Sequence, residues 1–394
     1  MQTVDVLVVG AGLAGLSTAR LLARRGLDVM VVDRRRSLSA GVRTTGIFVR
    51  RTLDDFDLPG HLLGPGVRDV LLYPPSRRSP IRLTSDRDEF RVADMAAVYE
   101  HARRAAESAG ARVLLGVRYT GTSSGLVRLE RTSGAEGAEG VDGVVGVEVV
   151  GVRFVVGADG ARSRVARDLG LDVNRRFLVG AEIVHAVAPG SGVPAFHCVL
   201  DPRVAPGYLG WVVDDGRHAH VGVAGEPGAV RAGVRRLLDA FAADAPGRAT
   251  PAGPVERRGG PIPVGGVLRR LACPDGLLVG DAAGAVSPLT AGGLDPCLRM
   301  SELAASVIAD YLRTGDREVL KRYDGAALRA RFRGRLLLRR LSAGIRSPVA
   351  AEAAVTVLRT RPGRALAARI LFGDGSFPEL EPRLTAGAGT VRRP

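Results

Sequence analysis

An apolar run that ends in three spaced glycines constrains the fold of this chain more than any other feature. Residues 4–9, VDVLVV, predict a buried parallel strand, and a helix is predicted over 13–25. Between them, Gly10, Gly12 and Gly15 follow the pattern G-x-G-x-x-G. In a strand–turn–helix unit the first glycine permits the tight turn, the second lets a pyrophosphate approach the backbone, and the third lets the helix pack closely. The pattern therefore predicts a dinucleotide-binding unit.

The residues around this turn strengthen the prediction. Leu13 and Ala14 begin the helix whose N-terminus faces the phosphates. Residues 28–33 predict a second buried strand that ends at Asp33, where the carboxylate can accept hydrogen bonds from a ribose. Arg34 begins an arginine run that either meets a 2′-phosphate or lies exposed, and the exposed run is favoured. With the acid at the expected place, a glycine turn without a ligand is the weaker interpretation.

Two further predicted strands end at a single aspartate. The strand over 152–157 leads into Asp159 within GADG, and the apolar run 277–279 leads into Gly280 and Asp281. Taken alone, Asp159 serves equally well as a cap for the helix that follows. Asp281, at the carboxyl end of a strand, is placed to accept hydrogen bonds from sugar-like hydroxyls.

A small-residue loop follows Asp281 and leads into another helix. The loop contains Pro288, Gly292 and Gly293, and Leu294 begins the predicted helix. Backbone N–H groups at a helix start are free and carry partial positive charge. A ring that becomes anionic when it is reduced would be stabilised there.

These three motifs, in this order, resemble the FAD-binding domain of the glutathione-reductase-like flavoproteins. More narrowly, they resemble the group of aromatic hydroxylases, flavin halogenases and geranylgeranyl reductases. The resemblance covers about 1–60 and 90–315. It implies FAD as the cofactor, with the ribityl chain on Asp281 and the flavin pyrimidine edge near Gly292 and Gly293.

The same resemblance assigns the remaining cofactor contacts. Gly10, Gly12, Gly15 and Asp33 would hold the ADP half of FAD. Arg43 lies in VRTTGI, a segment that contacts the flavin side of the cofactor in many relatives. The motif of Asp159 implies contacts with FAD and transient contacts with NAD(P)H. No second G-x-G-x-x-G is present, so we expect electrons from a transiently bound NAD(P)H or from a redox partner protein.

The details of the third motif favour one branch of this group. Gly284 stands where hydroxylases usually carry histidine, and the 287–290 run, SPLT, resembles the geranylgeranyl reductases. Tyr208 and Trp211 match the outline of an aromatic segment of that family, and 259–266 resembles its segment before the last flavin motif. The resemblance implies hydride transfer from reduced flavin to a C=C bond of an isoprenoid or another apolar natural product or lipid.

Two other reactions remain open, and one is disfavoured. An FAD-dependent monooxygenase that hydroxylates or epoxidises a natural product is the first alternative, and a non-redox flavin-dependent cyclase is the second. A halogenase is disfavoured because that group relies on a lysine near the first glycine motif, whereas the single lysine here is Lys321.

The catalytic residues are less defined. Asp295 and Cys297, at the start of the predicted helix beside the flavin, are candidate proton donors. A helix N-cap contact for Asp295 and a small buried apolar role for Cys297 are the favoured alternatives. Tyr208 and Trp211 either line the substrate cavity or belong to the core. The histidines and the three cysteines lack metal-ligand spacing, so no metal site is predicted.

The predicted fold class is α/β. We expect a Rossmann-like FAD-binding domain with an inserted antiparallel β-sheet substrate domain and a helical C-terminus. A helix over 94–108 and hairpins over 113–150 belong to the first domain. The predicted boundaries are 1–70, 90–175 and 270–315 for the FAD-binding domain, 71–89 and 176–269 for the substrate domain, 316–385 for the helical region, and 386–394 for a flexible tail.

Net charge and composition limit the classes of partner that the chain can bind. The chain of 394 residues carries a formal net charge of +15 and only 4% aromatic residues, which argues against a base-stacking nucleic-acid surface. The segment 328–346 has seven arginines and no acid, and it predicts a basic amphipathic helix. It either lies on an anionic membrane or holds a lipid diphosphate, or it packs on the main domain, which is favoured. No signal peptide or membrane span is predicted, so the expected location is cytoplasmic, with peripheral membrane contact left open.

Overall fold

The turn sequence GAEGAEG at 134–140 and the predicted tail at 386–394 lie outside the part of the chain that the computed structural model describes. The described residues are 2–132, 144–187, 194–230, 233–247 and 253–372.

Within these residues the strands, in chain order, are β1 (Thr3–Val9), β2 (Val29–Asp33), β3 (Ile47–Val49), β4 (Leu63–Val67), β5 (Asp69–Tyr73), β6 (Ile81–Thr84), β7 (Phe90–Ala93), β8 (Arg112–Leu115), β9 (Val117–Ser123), β10 (Leu126–Thr132), β11 (Val144–Gly157), β12 (Phe177–Ala186), β13 (Ala195–Val199), β14 (Gly210–Asp214), β15 (His218–Gly225), β16 (Val255–Pro263), β17 (Ala272–Cys273) and β18 (Gly276–Leu278). The α-helices are α1 (Leu13–Ala23), α2 (Arg50–Asp55), α3 (Met95–Ser108), α4 (Arg164–Asp168), α5 (Val234–Ala243), α6 (Leu294–Thr314), α7 (Ala326–Ala343), α8 (Pro348–Leu358) and α9 (Arg361–Phe372). Short 3-10 helices span Gly60–Leu62, Gly280–Ala283 and Arg317–Arg322.

Parallel strands make the centre of the first sheet. Its order is β17-β18-β11-β1-β2-β8, and the strands from β18 to β8 run parallel to one another. Val6, Leu7 and Val8 of β1 are fully buried, as expected for a strand covered on both faces. The strand predicted over 152–157 is the second half of β11, and its first half pairs with β10 and so extends the sheet with antiparallel hairpins. The predicted α/β class is confirmed.

The carboxyl ends of these parallel strands meet at one edge of the sheet. Gly10 follows β1, Asp33 ends β2, GADG follows β11, and Gly280 and Asp281 come just after β18. Ligands of open α/β sheets bind at this edge because free helix N-termini and turn backbone face it. The topology therefore gathers all three sequence motifs into one region.

The second sheet is mainly antiparallel. Its order is β16-β12-β15-β14-β13-β5-β6, and only the β13–β5 pair is parallel among the pairs described. Helix α5 covers one face, where Ile183, Val221 and Phe241 are buried together. The opposite face carries a small apolar cluster around Leu178 and Ala224. How the chain divides into domains at the predicted boundaries stays a prediction.

The remaining elements join the two sheets. A third sheet has three strands in the order β3-β7-β4. Helix α6 packs on α1, where the Ser301 hydroxyl donates a hydrogen bond to the carbonyl of Ala14 at 3.0 Å. Helices α7 to α9 form the predicted helical C-terminus, and Val355 and Ala367 are buried against the second sheet. No described helix is long and apolar enough to cross a bilayer.

Candidate cofactor and active site

In the turn after β1, neighbouring backbone fills the space beside Gly10 and Gly15, and the space beside Gly12 is open. Gly10 has a φ of +109°, and a Cβ there would overlap the carbonyl oxygen of Ala158. A Cβ at Gly15 would overlap the carbonyl oxygen of Gly10. Around the Cβ position of Gly12, in contrast, no described heavy atom lies within 4 Å. The backbone at Gly12 is therefore accessible to a ligand, which fits a pyrophosphate.

Helix α1 starts directly at this open turn. Gly12 is its N-cap and supplies no side-chain hydrogen bond, so backbone N–H groups at the helix start remain available for an anion. Leu13 is buried and Ala14 is partly buried. The Ala14 methyl lies 2.8 Å from where a Cβ of Gly280 would stand, so the first and third motifs are in direct contact.

Asp33 is already held by several hydrogen bonds. Its carboxylate accepts one from the Ala11 N–H at 2.8 Å and others from the Arg35 N–H at 2.8 Å and the Arg35 guanidinium at 3.0 Å. Burial raises the pKa of Asp33, but the hydrogen bonds and the charge of Arg35 outweigh burial and bring the pKa below its ordinary value.

Arg35, not Arg34, is the residue of the arginine run that contacts Asp33, and sequence reasoning missed it. Arg34, the predicted candidate, is exposed, whereas Arg35 lies against Asp33 and 5.8 Å from the ring centroid of Tyr99. The available signal was its spacing, because residues two apart in an extended segment lie on the same side.

In the GADG motif, one carboxylate oxygen of Asp159 accepts hydrogen bonds from a helix start, and the other has no donor among the described residues. Asp159 Oδ2 accepts hydrogen bonds from the N–H groups of Arg164 at 2.6 Å and Val165 at 3.2 Å, at the start of α4. Its Oδ1 is buried and accepts no hydrogen bond from the described residues. Burial raises the pKa of Asp159. A buried oxygen without a donor is costly, so this atom suits a ligand hydroxyl.

A cavity of about 320 Å³ connects the second and third motifs. Ser163, Asn174 and Ala282 of the 3-10 turn are among the residues that line it. Asn174 also donates a hydrogen bond from Nδ2 to the carbonyl of Asp281 at 2.8 Å, which fixes the turn in place.

Asp281 is partly buried, and its carboxylate has no donor among the described residues. No described residue donates a hydrogen bond to its carboxylate, and burial raises its pKa to about 6. Its Oδ1 lies 3.4 Å from where a Cβ of Gly293 would stand, so the carboxylate faces the start of α6. This is the environment expected of an acid that awaits hydroxyl donors from a ligand.

The loop between Asp281 and α6 has the predicted form. Helix α6 begins at Leu294 with Gly293 as its N-cap, and the cap supplies no side-chain hydrogen bond. Pro288 is buried and Gly292 is exposed, with only Thr290 near its Cβ position. The N-terminus of α6 therefore presents free backbone N–H groups next to Asp281.

Side chains inside this loop lock its shape. The buried Ser287 hydroxyl is 2.8 Å from the hydroxyl of Thr290 and accepts a hydrogen bond from Arg335 of α7 at 2.7 Å. Ala291 has a φ of +54°, a left-handed conformation that is uncommon outside glycine. Local strain of this kind is frequent where a loop shapes a binding site.

The two candidate proton donors are engaged in other contacts. Asp295 does not form the expected N-cap contact; its carboxylate accepts hydrogen bonds from Arg299 at 3.0 Å and from the Thr52 hydroxyl at 3.0 Å. The Cys297 thiol donates to the carbonyl of Leu294 at 3.1 Å, and burial raises its pKa. These contacts favour structural roles for both residues, and their catalytic roles stay predictions.

The predicted substrate residues lie on the inner face of the second sheet. Tyr208 and Trp211 pack around Leu178 and Ala224, on the face opposite α5. Arg43 is exposed, and its Cδ lies 3.6 Å from where a Cβ of Gly260 would stand on the neighbouring β16. The VRTTGI segment and this sheet face are therefore adjacent.

A cluster of charged residues on the same face was not foreseen. Glu182 Oε1 accepts hydrogen bonds from Trp211 at 3.2 Å and from the Thr45 hydroxyl at 2.5 Å, and its Oε2 lies 3.7 Å from His220 Nδ1. His220 Nε2 lies 3.3 Å from Asp215. The signal was present in FLVGAEIVHA at 177–186, where one acid interrupts an otherwise apolar strand.

Helix α7 packs on the rest of the protein through only some of its apolar residues. Leu328 and Phe332 are buried, but Leu337 and Leu341 are 58% and 63% exposed, while Arg339 is 7% exposed. Arg339 donates a hydrogen bond to the carbonyl of Gly207 at 2.5 Å. Inward arginines of this helix therefore find carbonyl and hydroxyl acceptors in the core.

Comparisons with known proteins identify the cofactor-binding family and a related enzyme. A family model described as an FAD binding domain matches residues 3–62. A digeranylgeranylglycerophospholipid reductase from Methanopyrus kandleri is 31% identical over 340 residues, which cover 81% of this chain and 84% of that protein. The open backbone at Gly12, the unpaired oxygen of Asp159 and the donor-free Asp281 all fit FAD.

Solved structures share the fold. A geranylgeranyl bacteriochlorophyll reductase-like protein from Thermoplasma acidophilum superposes with a TM-score of 0.79 at 22% identity, over 95% of this chain and 98% of that one. A probable FAD-dependent monooxygenase from Pseudomonas aeruginosa superposes with a TM-score of 0.64 at 20% identity, over 90% of this chain and 100% of that one. With 31% identity over most of both chains, this chain belongs to the digeranylgeranylglycerophospholipid reductase family of FAD-dependent oxidoreductases.

Proposed function

We propose that this chain saturates C=C bonds of an isoprenoid lipid with electrons from reduced FAD. The 31% identity to a digeranylgeranylglycerophospholipid reductase carries the proposal. Geranylgeranyl chains are apolar and unsaturated, so the substrate needs an apolar surface beside the cofactor. Tyr208, Trp211 and Ile262, which are only partly buried where they pack on Leu178 and Ala224, would supply such a surface on the second sheet.

The reaction needs a bound flavin, an oriented alkene and one proton. Reduced FAD supplies hydride when it is bound. Gly12 and the start of α1 would hold the pyrophosphate, and Asp33 and Asp159 would contact the sugar and linker hydroxyls. Asp281 would accept hydrogen bonds from the ribityl chain. The N-terminus of α6 after Gly293 would stabilise negative charge on the reduced ring.

Electrons reach the flavin from outside the site. We infer a transiently bound NAD(P)H or a redox partner protein, because the single G-x-G-x-x-G unit is assigned to FAD. Arg43, exposed beside the sheet face, stays assigned to the flavin side of the cofactor.

An anaerobic titration tests the reaction. The purified holoenzyme is reduced with dithionite, freed of excess reductant, and mixed with a geranylgeranyl lipid while the flavin spectrum is followed. We expect reoxidation without oxygen and, by mass spectrometry, addition of two hydrogens for each bond reduced. A flavin that stays reduced with each polyprenyl lipid and reoxidises with O₂ only when an aromatic or polyketide substrate is hydroxylated would favour the monooxygenase. Turnover of a substrate without net flavin oxidation would favour the cyclase.

We also propose that α7 contacts an anionic membrane that holds the lipid substrate. Leu337 and Leu341 are exposed on this helix, and Arg333 and Arg340 beside them are exposed as well. Apolar and basic side chains on one exposed surface suit the boundary of an anionic bilayer. The net charge of +15 acts in the same direction.

Vesicle sedimentation tests this contact. The protein should sediment with phosphatidylglycerol vesicles and much less with phosphatidylcholine vesicles. The double variant Leu337→Asp, Leu341→Asp should lose most of the binding. Leu126→Asp, an exposed leucine on β10, is the matched control and should bind like the wild type. Equal binding by the double variant would contradict the contact.

A further inference from the structure

A line of polar groups runs from the surface to the flavin side of the second sheet. His218 is exposed, and its Nδ1 lies 3.4 Å from Asp215. Asp215 lies 3.3 Å from His220 Nε2, and His220 Nδ1 lies 3.7 Å from Glu182. Glu182 then accepts a hydrogen bond from the hydroxyl of Thr45. Each group in the line can accept or release a proton or pass one on.

Packing alone does not explain this line. His220 is 3% exposed, and its Nδ1 makes no hydrogen bond with the described residues although Glu182 faces it. Burial lowers the pKa of His220, but the carboxylates of Asp215 and Glu182 outweigh burial and raise it to about 9. Buried ionic clusters of this kind seldom add stability over well-packed apolar residues. A charged imidazole in the centre of a sheet therefore calls for a function.

The inner end of the line lies at the cofactor side of the molecule. Thr45 belongs to the VRTTGI segment, which lies against β16. Gly46, next to Thr45, has its Cβ position 2.6 Å from Met95 Cγ. Met95 lies in one buried cluster with Leu13 of α1 and Cys297 of α6. The segment that carries Thr45 is therefore packed against the two helix starts that would face the cofactor.

We propose that His220, Glu182 and Thr45 form a proton relay that supplies the proton for alkene reduction. The inference rests on the proposed function. With bound reduced FAD as the source of hydride for one carbon, the Thr45 hydroxyl would give its proton to the neighbouring carbon as the C=C π bond breaks. The ionised Glu182 carboxylate takes the proton of His220 and passes it to Thr45, and solvent restores the His220 proton through His218 and Asp215. The alkene is reduced by two electrons and the flavin is oxidised by two.

The charges around His220 set the expected pH dependence. Asp215 and Glu182 face it directly, His218 contacts Asp215, and Arg258 lies across the ladder from Glu182. His220 holds its proton below about pH 9, so proton delivery should persist to that pH and then fall. Removal of the Glu182 charge should shift the fall to lower pH.

Single-turnover kinetics test the relay. Reduced wild type, His220→Gln, Glu182→Gln, Thr45→Val and Thr45→Ser are mixed anaerobically with a geranylgeranyl lipid. We expect reoxidation to slow by about 100-fold in the first three variants and to recover largely in Thr45→Ser, because a general acid typically contributes a factor of this size. In Glu182→Gln, the high-pH fall of the residual rate should move to lower pH. His185→Gln, a buried histidine on the opposite face of β12, is the matched control.

Further measurements separate the relay from a structural role and from failure of the proposed function. FAD affinity and O₂-driven reoxidation should stay within about twofold of wild type, and NMR of labelled histidine should show His220 protonated at neutral pH. Wild-type rates in the three variants, a slow His185→Gln, or a His220 that titrates at the ordinary value would overturn the relay alone. A wild type that no polyprenyl lipid reoxidises would overturn the proposed function and the relay with it.

Discussion

Asp33 and Asp281 lie at the same edge of the parallel sheet, and the protein surrounds them in opposite ways. Asp33 accepts hydrogen bonds from Ala11 and Arg35, and its pKa lies below the ordinary value. Asp281 has no donor among the described residues, and burial raises its pKa to about 6. The fold stabilises the ionised form of Asp33, whereas the ionised form of Asp281 destabilises the fold.

The difference indicates that the two ends of the cofactor site depend on the ligand to different degrees. At the ADP end, the chain supplies the hydrogen bonds that orient Asp33, so this end is formed before FAD binds. At the flavin end, Asp281 is left for ligand hydroxyls, at a cost that binding offsets. Sites are often built from such locally destabilising groups.

The largest expected effect concerns FAD affinity at the flavin end. Asp281→Asn removes an ionised acceptor of ribityl hydroxyls, and such hydrogen bonds contribute about 1.5–3 kcal/mol. The Kd for FAD should therefore rise by about 10- to 100-fold, measured by flavin fluorescence quenching. Asp275→Asn, an exposed acid in the turn before β18, is the control and should leave the Kd unchanged. A Kd within twofold of wild type in Asp281→Asn would remove the contrast between the two ends.

The same variant should stabilise the protein without FAD. The pKa of Asp281 is raised in the folded state, so its ionisation costs stability as the pH rises from about 4 to about 6. Asp281→Asn avoids this cost and should gain about 1–3 kcal/mol in the free energy of unfolding at pH 8. At pH 4 the gain should vanish. Urea unfolding of the FAD-free protein at both pH values measures it; a loss of stability at pH 8 would contradict the prediction.

Asp33 should show the opposite sign. Its pKa is lowered in the folded state, so its contribution is present above about pH 4 and is lost as the pH falls further. Asp33→Asn should cost the FAD-free protein about 1–2 kcal/mol at pH 7. Arg35→Gln should cause a similar loss in urea unfolding, while Arg34→Gln, an exposed neighbour, should not. If the Arg34 and Arg35 variants behave alike, the ADP end is not organised by Arg35.

The smallest effect on stability is expected at Gly12. Its Cβ position has no described neighbour within 4 Å, so Gly12→Ala should change the unfolding free energy of the FAD-free protein by no more than about 0.5 kcal/mol. The same methyl would stand where the pyrophosphate approaches, so FAD affinity should fall. Gly228→Ala, an equally open glycine elsewhere, should change neither quantity. An unchanged FAD affinity in Gly12→Ala would place the phosphates elsewhere.

Sequence reasoning located the strand ends and turns of the candidate site well and the contacts of their side chains poorly. The positions of the first-motif glycines, Asp159 and Asp281 were predictable because strand ends and turns are encoded by short local patterns, and their roles in binding stay predictions. Glu182 and His220 were not recognised as a pair, because their contact depends on the register of two strands. The same limit applies to α7, where hydrogen-bond acceptors in distant loops decide that Arg335 and Arg339 turn inward.

The sequence by itself determined the cofactor, the α/β class and the strand ends that carry the acids, because each depends on apolar period, glycine spacing and helix starts within a few residues of chain. The tertiary structure alone decided how each acid is surrounded. Asp33 meets Arg35, Asp281 meets no donor, and Glu182 meets His220. The physical reason is that burial and long-range pairing set the energy of a charge, and neither is encoded by local sequence.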